Sequence, residues 1–390
     1  MTEFELSRLI LALAGLLALA QGLGYACQRF GMPRVVGEIM AGVLLGPSLL
    51  GHYLPGLYGA VFDAFPGERE VLSAFYWVGL IALMFTSGFS VQRRLETGDS
   101  RLIGVVLVAA TVLPFAAGWL APRIFDFSSY AGAQGKALPL TLVIAVAFSV
   151  TSIPVISKVF LDLGIMETRF ARIVLAAATL QDLVLWVALS VATAVAAGGG
   201  VGAGAIEATV LKTVAFLGLA LTFGPRLLGY VTRMRFNLVI KASVTGYLFV
   251  VCFLFVALAG LLSVNMVFGA LVAGMVVGSM PDDAFTPVKE RIRDVSAGLF
   301  IPIYFALVGL NIDLHNHLDL GFTLAFIAIS SIIEVACVMF GARLAGQGLL
   351  SSVNFGFAMN TRGGPGIVLA SVALEQIRFN RGHILLRQSS

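Results

Sequence analysis

The stretch LAAATLQDLVLWVALS, residues 175–190, contains a single charged side chain, Asp182. Its apolar flanks continue far enough to cross the roughly 30 Å hydrocarbon core of a membrane as an α-helix. A carboxylate at that depth is costly, and such residues mark ion pathways and proton relays more often than structural positions. The stretch therefore predicts a transmembrane helix that carries a functional acidic group.

The composition of the whole chain is typical of an integral membrane protein. Of its 390 residues, 59% are hydrophobic and only 12% are charged, about half the charged fraction of a soluble domain. Short loops separate apolar runs of membrane-spanning length. The predicted fold class is all-α integral membrane, with about twelve transmembrane helices at 8–28, 34–52, 71–91, 101–121, 138–162, 170–197, 208–228, 242–262, 265–281, 293–311, 321–345 and 350–377.

The basic residues predict how these spans are oriented. Sixteen Lys and Arg residues fall in one alternate set of loops and the adjoining ends of the spans, and five fall in the opposite set up to residue 350. Because cytoplasmic loops carry the excess of positive charge, we expect a multi-pass protein of the inner (plasma) membrane with its N-terminus outside. This distribution also explains the pI of 9.1, so nucleic acid is not an expected partner.

Two of the predicted spans contain residues that are hostile to a helix. The fifth span contains SVTSIP at 149–154, and the twelfth contains MNTRGGPG at 359–366. Proline removes a helical hydrogen bond, and irregular backbone inside a membrane must be buried in protein or line a wet cavity. The two spans are seven apart and therefore cross in opposite directions. Broken helices at matching places in oppositely oriented halves indicate two inverted repeats, as in secondary transporters.

Asp182 fits such a transporter. It lies about twelve residues into its span, roughly 18 Å along the helix, so it falls near the middle of the membrane. Its carboxylate can meet the hydroxyls of Thr151 and Ser152, and oxygen ligands suit hard cations. A poorly solvated carboxylate also favours its protonated form. Cation and proton would then compete for Asp182, with Gln181 as an ion ligand, a proton relay or a helix–helix hydrogen-bonding residue.

Other polar residues near the breaks have open roles. Thr151 and Ser152 are candidate cation ligands, and ordinary capping of a helix kink is the alternative. Arg362 is expected to bind freed carbonyls or Glu334, or to act as a gate that reports protonation. The remaining candidates for a gating or a structural role are Asn360 and Thr361.

Enzyme and cofactor functions have no support in the sequence. It contains no nucleophile elbow, no phosphate-binding loop and no histidine–carboxylate metal spacing. The three cysteines stand singly in apolar runs, so neither a disulfide framework nor a metal site is predicted. We therefore expect no enzymatic activity, no cofactor and no metal beyond a transported monovalent cation.

Four stretches, 33–51, 79–89, 147–185 and 355–374, carry a resemblance to a known family. The chain resembles the monovalent cation:proton antiporter-2 family, which includes bacterial sodium/proton antiporters and glutathione-gated potassium efflux antiporters. The resemblance places the essential ion-binding aspartate on Asp182. The pair Gln181–Asp182 resembles the corresponding pair in the potassium efflux branch of the family.

The resemblance also implies an organisation in domains. It implies a homodimer in membrane lipid, with a dimer-interface panel formed by 1–100 and 236–318. A mobile core would comprise 101–200 and 319–390, connected through a linker helix at 201–235. The thirteenth helix and the nucleotide-binding domain of the family have no counterpart, so the second repeat is expected to be incomplete.

The implied function is secondary active antiport of K⁺ or Na⁺ for H⁺. Many members of the sodium type have a lysine in the eleventh span, whereas this chain has Ala336 near that position, with Glu334 about 160° around the helix. With neither that lysine nor a second carboxylate beside Asp182, exchange is expected to be electroneutral. Because the thirteenth helix of the family has no counterpart, an alternative function stays open. The chain would then be a non-transporting membrane sensor or a truncated partner subunit of an intact antiporter.

Overall fold

The computed structural model describes residues 2–89, 99–125, 127, 137–165, 168–197, 203–234, 237–280 and 282–362. Within these ranges the secondary structure is helical. We number the helices α1 Glu3–Arg29, α2 Arg34–Leu45, α3 Leu50–Tyr53, α4 Pro55–Phe62, α5 Glu68–Gly88, α6 Ser100–Ile124, α7 Ala137–Ser149, α8 Ile153–Asp162, α9 Arg169–Ala197, α10 Ala203–Arg233, α11 Leu238–Ala242, α12 Val244–Leu261, α13 Met266–Gly278, α14 Asp282–Val295, α15 Ile301–Leu310, α16 Leu314–His317, α17 Leu320–Leu344 and α18 Leu349–Met359.

The predicted all-helical membrane fold is confirmed. Within the described ranges, nine helical segments are long and apolar enough to cross a membrane, and three further apolar helices are shorter. Each of the twelve predicted spans overlaps one of these segments. Two of the short ones, α7 and α18, belong to the spans in which the sequence predicted a break.

Two predicted spans differ in detail from the observed helices. The span at 34–52 is interrupted, because α2 ends at Leu45 and Gly46 is extended, immediately before Pro47. The span at 293–311 is the second half of a longer helical rod, in which a π-helical turn at Ser296–Phe300 joins α14 to α15. The sequence did not predict α14, because its many charged residues do not form the apolar run by which a membrane span is recognised.

The chain folds into two compact units. The first contains Met1–Phe89, Gly224–Phe255 and Ala270–Thr323, and the second contains Ser90–Phe223, Val256–Gly269 and Leu324–Ser390. The boundaries predicted for the panel, linker and core stay predictions.

In the first unit, α2 and α15 meet backbone to backbone. A Cβ atom on Gly42 would overlap the carbonyl oxygen of Ala306, and one on Gly309 would overlap the carbonyl oxygen of Ile39. Small residues of this kind allow membrane helices to approach closely and pack through van der Waals contact.

We expect Gly42→Ala to destabilise this contact by about 1–3 kcal/mol, because an added methyl group must push two backbones apart. Thermal unfolding of the purified protein in detergent measures the effect. Gly15→Ala is the matched control, since a Cβ atom there meets nothing within 4 Å. Equal melting temperatures for the two variants would contradict the close approach.

In the second unit, apolar residues of α6, α8, α9, α17 and α18 form one buried cluster, which includes Ile156, Val174, Val338 and Phe355. The ring of Phe170 packs against that of Phe355, with centroids 4.8 Å apart. This packing holds α9, which carries Asp182, beside the helices that border the two breaks.

An ion pair connects Asp99, the residue before α6, to Arg169, the first residue of α9 in the same unit. The Arg169 guanidinium donates to both carboxylate oxygens of Asp99, at 2.9 and 2.5 Å. These hydrogen bonds lower the pKa of the Asp99 carboxyl from its ordinary value. The pair brings the starts of the two helices together at one end of the unit.

Candidate ion-binding site

The first break lies between α7 and α8, at residues 150–152. Pro154 is the second residue of α8, a position where a helix does not require an amide hydrogen. Continuing α7 across this proline would leave a carbonyl of the helical ladder without its donor. The chain therefore stops α7 at Ser149 and starts a new helix at Ile153.

Side chains from other elements satisfy the carbonyls at the end of α7. The Arg362 guanidinium donates to the carbonyls of Ala147 and Phe148, with Nη2 3.1 Å from the second of them. The Gln181 amide donates to the carbonyl of Ser149 at 2.5 Å. Helix ends without water require such partners, so these contacts allow the break to exist inside the protein.

The second break follows α18 and contacts the first directly. The Ser152 amide, which would continue the ladder of α7, instead donates to the carbonyl of Thr361 at 2.5 Å. The Thr361 hydroxyl lies 3.4 Å from the carbonyl of Ser152. The Thr151 hydroxyl donates to the carbonyl of Met359, the last residue of α18, at 2.6 Å. The two interruptions thus form one joint, which we call the crossing: residues 150–152 and 360–362.

Glu334 reaches the crossing from α17. Its side chain is fully buried, and Oε2 lies 2.7 Å from Nη2 of Arg362. Oε1 lies 3.3 Å from the Thr151 hydroxyl. Arg362 therefore contacts both of the partners predicted for it from the sequence, the freed carbonyls and Glu334.

Gln181 holds α9 against the crossing. Its Nε2 donates to the carbonyl of Ala110 in α6 at 2.8 Å, in addition to that of Ser149. Both neighbours of this nitrogen are acceptors, which fixes the orientation of the amide. Asp182 is the next residue of α9 and is partly buried.

Unpartnered oxygen atoms are present at the crossing. Among the described residues, buried Oε1 of Gln181, Oγ of Ser152 and Oδ1 of Asn360 make no hydrogen bond. Buried polar atoms normally have partners, and each exception requires an explanation such as an ion or water. Amide and hydroxyl oxygens are chemically suited to a hard monovalent cation.

The sequence predicted that Arg362 could bind freed carbonyls, but it did not predict the other backbone partners of this site. No residue type marks which backbone carbonyls will serve as partners, because every residue carries a carbonyl. The sequence therefore does not show the roles of the Ala110 and Met359 carbonyls, or the capping of Ser149 by Gln181. Residues 363–390, which include the glycines and Pro365 of the second predicted break, lie outside the described residues. The proposed roles of the site residues stay predictions.

Several known proteins are similar to this chain. A Na⁺/H⁺-K⁺ antiporter, GerN of Bacillus cereus, is 24% identical over 89% of this chain and 83% of its own length. The Na⁺/H⁺ antiporter NhaS4 of Synechocystis is 26% identical over 95% of this chain and 91% of its own length. K⁺/H⁺ antiporter 1 of Saccharomyces cerevisiae is 28% identical over 88% of this chain, which spans 40% of that longer protein.

The fold also matches a solved structure. The sodium proton antiporter MjNhaP1 from Methanocaldococcus jannaschii superposes with a TM-score of 0.65, at 16% identity, over 96% of this chain and 88% of that one. The profile of the family described as sodium/hydrogen exchanger, transmembrane, matches residues 14–386. The resemblance to monovalent cation:proton antiporters is thereby confirmed, and the chain belongs to the sodium/hydrogen exchanger family of transmembrane transporters.

Proposed function

We propose that this protein is a secondary antiporter that exchanges K⁺ or Na⁺ for H⁺, with Asp182 binding the proton and the cation alternately. The observation that carries the proposal is the crossing beside α9, where three buried oxygen atoms lack hydrogen-bond partners. Similar proteins named as Na⁺/H⁺ and K⁺/H⁺ antiporters support the same chemistry. The protein would act as a homodimer in the lipid of the inner membrane, with its N-terminus outside.

The proposed site uses the residues in distinct ways. Asp182 supplies the negative charge, and Gln181 and Ser152 supply neutral oxygens. Thr151 holds the end of α18 through its bond to Met359, so it orients the crossing. Arg362 caps α7 and neutralises Glu334.

The charges at the crossing support electroneutral exchange. Arg362 and Glu334 form a pair whose charges cancel, which leaves Asp182 as the residue that changes charge during transport. An empty, ionised Asp182 would have to pass a poorly solvated barrier as a bare charge, at high cost. The protonated form and the cation-bound form are both neutral, so one proton should exchange for one cation.

Proteoliposomes containing the purified protein and a pH-sensitive dye test this function. A proton gradient should collapse when Na⁺ or K⁺ is added, and the rate should stay constant when a permeant anion imposes a membrane potential of either sign. A rate that changes several-fold with the potential would contradict one-for-one exchange. Absence of cation-dependent proton movement from acid to mildly alkaline pH would instead favour a non-transporting membrane protein.

A further inference from the structure

Two histidines of the first unit lie against each other where α3 and α16 meet. The ring centroids of His52 and His315 are 3.9 Å apart, and the planes of the two rings are inclined by 33°. Both residues are exposed, so a dissolved ion can reach their imidazole groups. They are far apart in the chain, which is why the sequence shows no metal-ligand spacing at this place.

The segments that carry the two histidines are fixed to each other. The hydroxyl of Ser48, in the turn before α3, donates to the carbonyl of Ile312 at 2.6 Å and accepts from the amide of Leu314 at 2.9 Å. Leu314 directly precedes His315, and Ser48 is four residues before His52. One hydroxyl therefore joins the turn before α3 to the start of α16, and it keeps the two imidazole groups close together.

The helices that lead to this pair are also in close contact. A Cβ atom on Gly46, directly after α2, would lie 3.1 Å from the carbonyl oxygen of Leu310, the last residue of α15. The ring of Tyr53 meets the ring of His52 edge-on, with centroids 4.9 Å apart, which limits the rotation of that imidazole. Ligands held in place in this way lose little freedom when they bind.

Two neighbouring imidazoles are typical ligands of a divalent transition metal. Imidazole nitrogen suits Zn²⁺, Cu²⁺ and Ni²⁺, whereas Mg²⁺ and Ca²⁺ require oxygen ligands. Two imidazoles that share one Zn²⁺ have their centroids roughly 4.5–5 Å apart, because each Zn–N bond is about 2.0–2.1 Å long. The rings of His52 and His315 therefore have to separate by about 1 Å, which exposed side chains achieve by small rotations.

We propose that His52 and His315 form a binding site for a divalent transition metal such as Zn²⁺. Among the described residues, no third histidine, cysteine or carboxylate joins them to make a larger metal-ligating group, so water completes the coordination. The bound metal adds a second connection, besides Ser48, between the segments that follow α2 and α15. The pair belongs to the first unit and Asp182 to the second, and the proposal does not depend on the proposed antiport function.

Isothermal titration calorimetry of the purified protein with Zn²⁺ tests the site, after removal of any histidine-containing affinity tag. One Zn²⁺ should bind per chain, and Mg²⁺ should not compete with it. His52→Ala and His315→Ala should each weaken binding by more than about tenfold, because even the hydrogen-bond partners of a metal ligand contribute that much. The control is His383→Ala, which changes a histidine outside the described residues and should leave Zn²⁺ binding unchanged.

A variant that keeps a metal ligand distinguishes the loss of a ligand from a folding defect. His315→Cys should retain Zn²⁺ binding, because a thiolate is also a zinc ligand, whereas His315→Ser should lose it. Zn²⁺ should raise the melting temperature of the wild type by several degrees, since a ligand that binds only the folded state stabilises that state. It should leave the melting temperatures of the two alanine variants unchanged.

Three results would overturn the proposal. The first is a wild-type protein that shows no saturable Zn²⁺ binding. The second is wild-type affinity in both His52→Ala and His315→Ala, and the third is loss of binding in His383→Ala. The last two would place the bound Zn²⁺ on other residues of the chain.

Discussion

Replacing Asp182 by asparagine should reduce cation-dependent proton movement to the level of empty proteoliposomes. Asparagine has the same shape but can neither take up a proton near neutral pH nor provide a negative charge for a cation. Both half-reactions of the exchange would therefore be lost together. The measurement is the collapse of a preset proton gradient, followed with a pH dye after addition of Na⁺ or K⁺.

The matched control for this variant is Asp63→Asn. Asp63 is an exposed aspartate of the first unit that pairs with Arg69 at 3.4 Å, and exposed pairs of this kind contribute about 0–1 kcal/mol. Its replacement should leave the transport rate close to that of the wild type. Transport at the wild-type rate by Asp182→Asn would remove Asp182 from the mechanism, whatever the other residues do.

The second large effect is expected for Arg362→Met. This change leaves the fully buried Glu334 without its positive partner and removes the donors for two carbonyls of α7. Breaking a buried pair by removing one member destabilises a protein by about 3–5 kcal/mol, because the remaining charge is uncompensated. Equilibrium unfolding in detergent, followed by fluorescence, should show a loss of this size.

A double variant separates the two causes. Arg362→Met combined with Glu334→Gln removes the uncompensated charge but leaves the carbonyls of α7 uncapped, so it should recover part of the lost stability. Arg69→Met, which breaks an exposed pair, serves as the control with an expected change of about 0–1 kcal/mol. A double variant that is no more stable than Arg362→Met would show that charge compensation contributes little.

The features that depend on residues close together in the chain could be predicted from the sequence. Apolar runs predict the spans because a membrane of fixed thickness demands them. Thr151, Ser152 and Pro154 predict the end of α7 because proline cannot continue the ladder. Asp182 stands out because a carboxylate in an apolar helix has no ordinary reason to be there.

The sequence was insufficient where partners are distant along the chain. Gln181 bonds to carbonyls 71 and 32 residues away, and neither carbonyl has any distinguishing feature in the sequence. Glu334 was predicted as a possible partner of Arg362, but its contact with Thr151 across 183 residues depends on packing and was not predicted. The helical continuation of α14 into α15 was missed because charged residues conceal it.

The distance along the chain between Arg362 and its carbonyl partners has a consequence for biosynthesis. Arg362 lies 214 residues after Phe148, so α7 and α8 leave the ribosome long before the side chain that caps their junction exists. Gln181 arrives much earlier, 32 residues after Ser149, and can secure one carbonyl in the meantime. The nascent chain must therefore keep an unfinished helix end in contact with water, lipid headgroups or an insertion factor until the twelfth span is made. Assembly of the crossing is then a late event in the folding of the second unit.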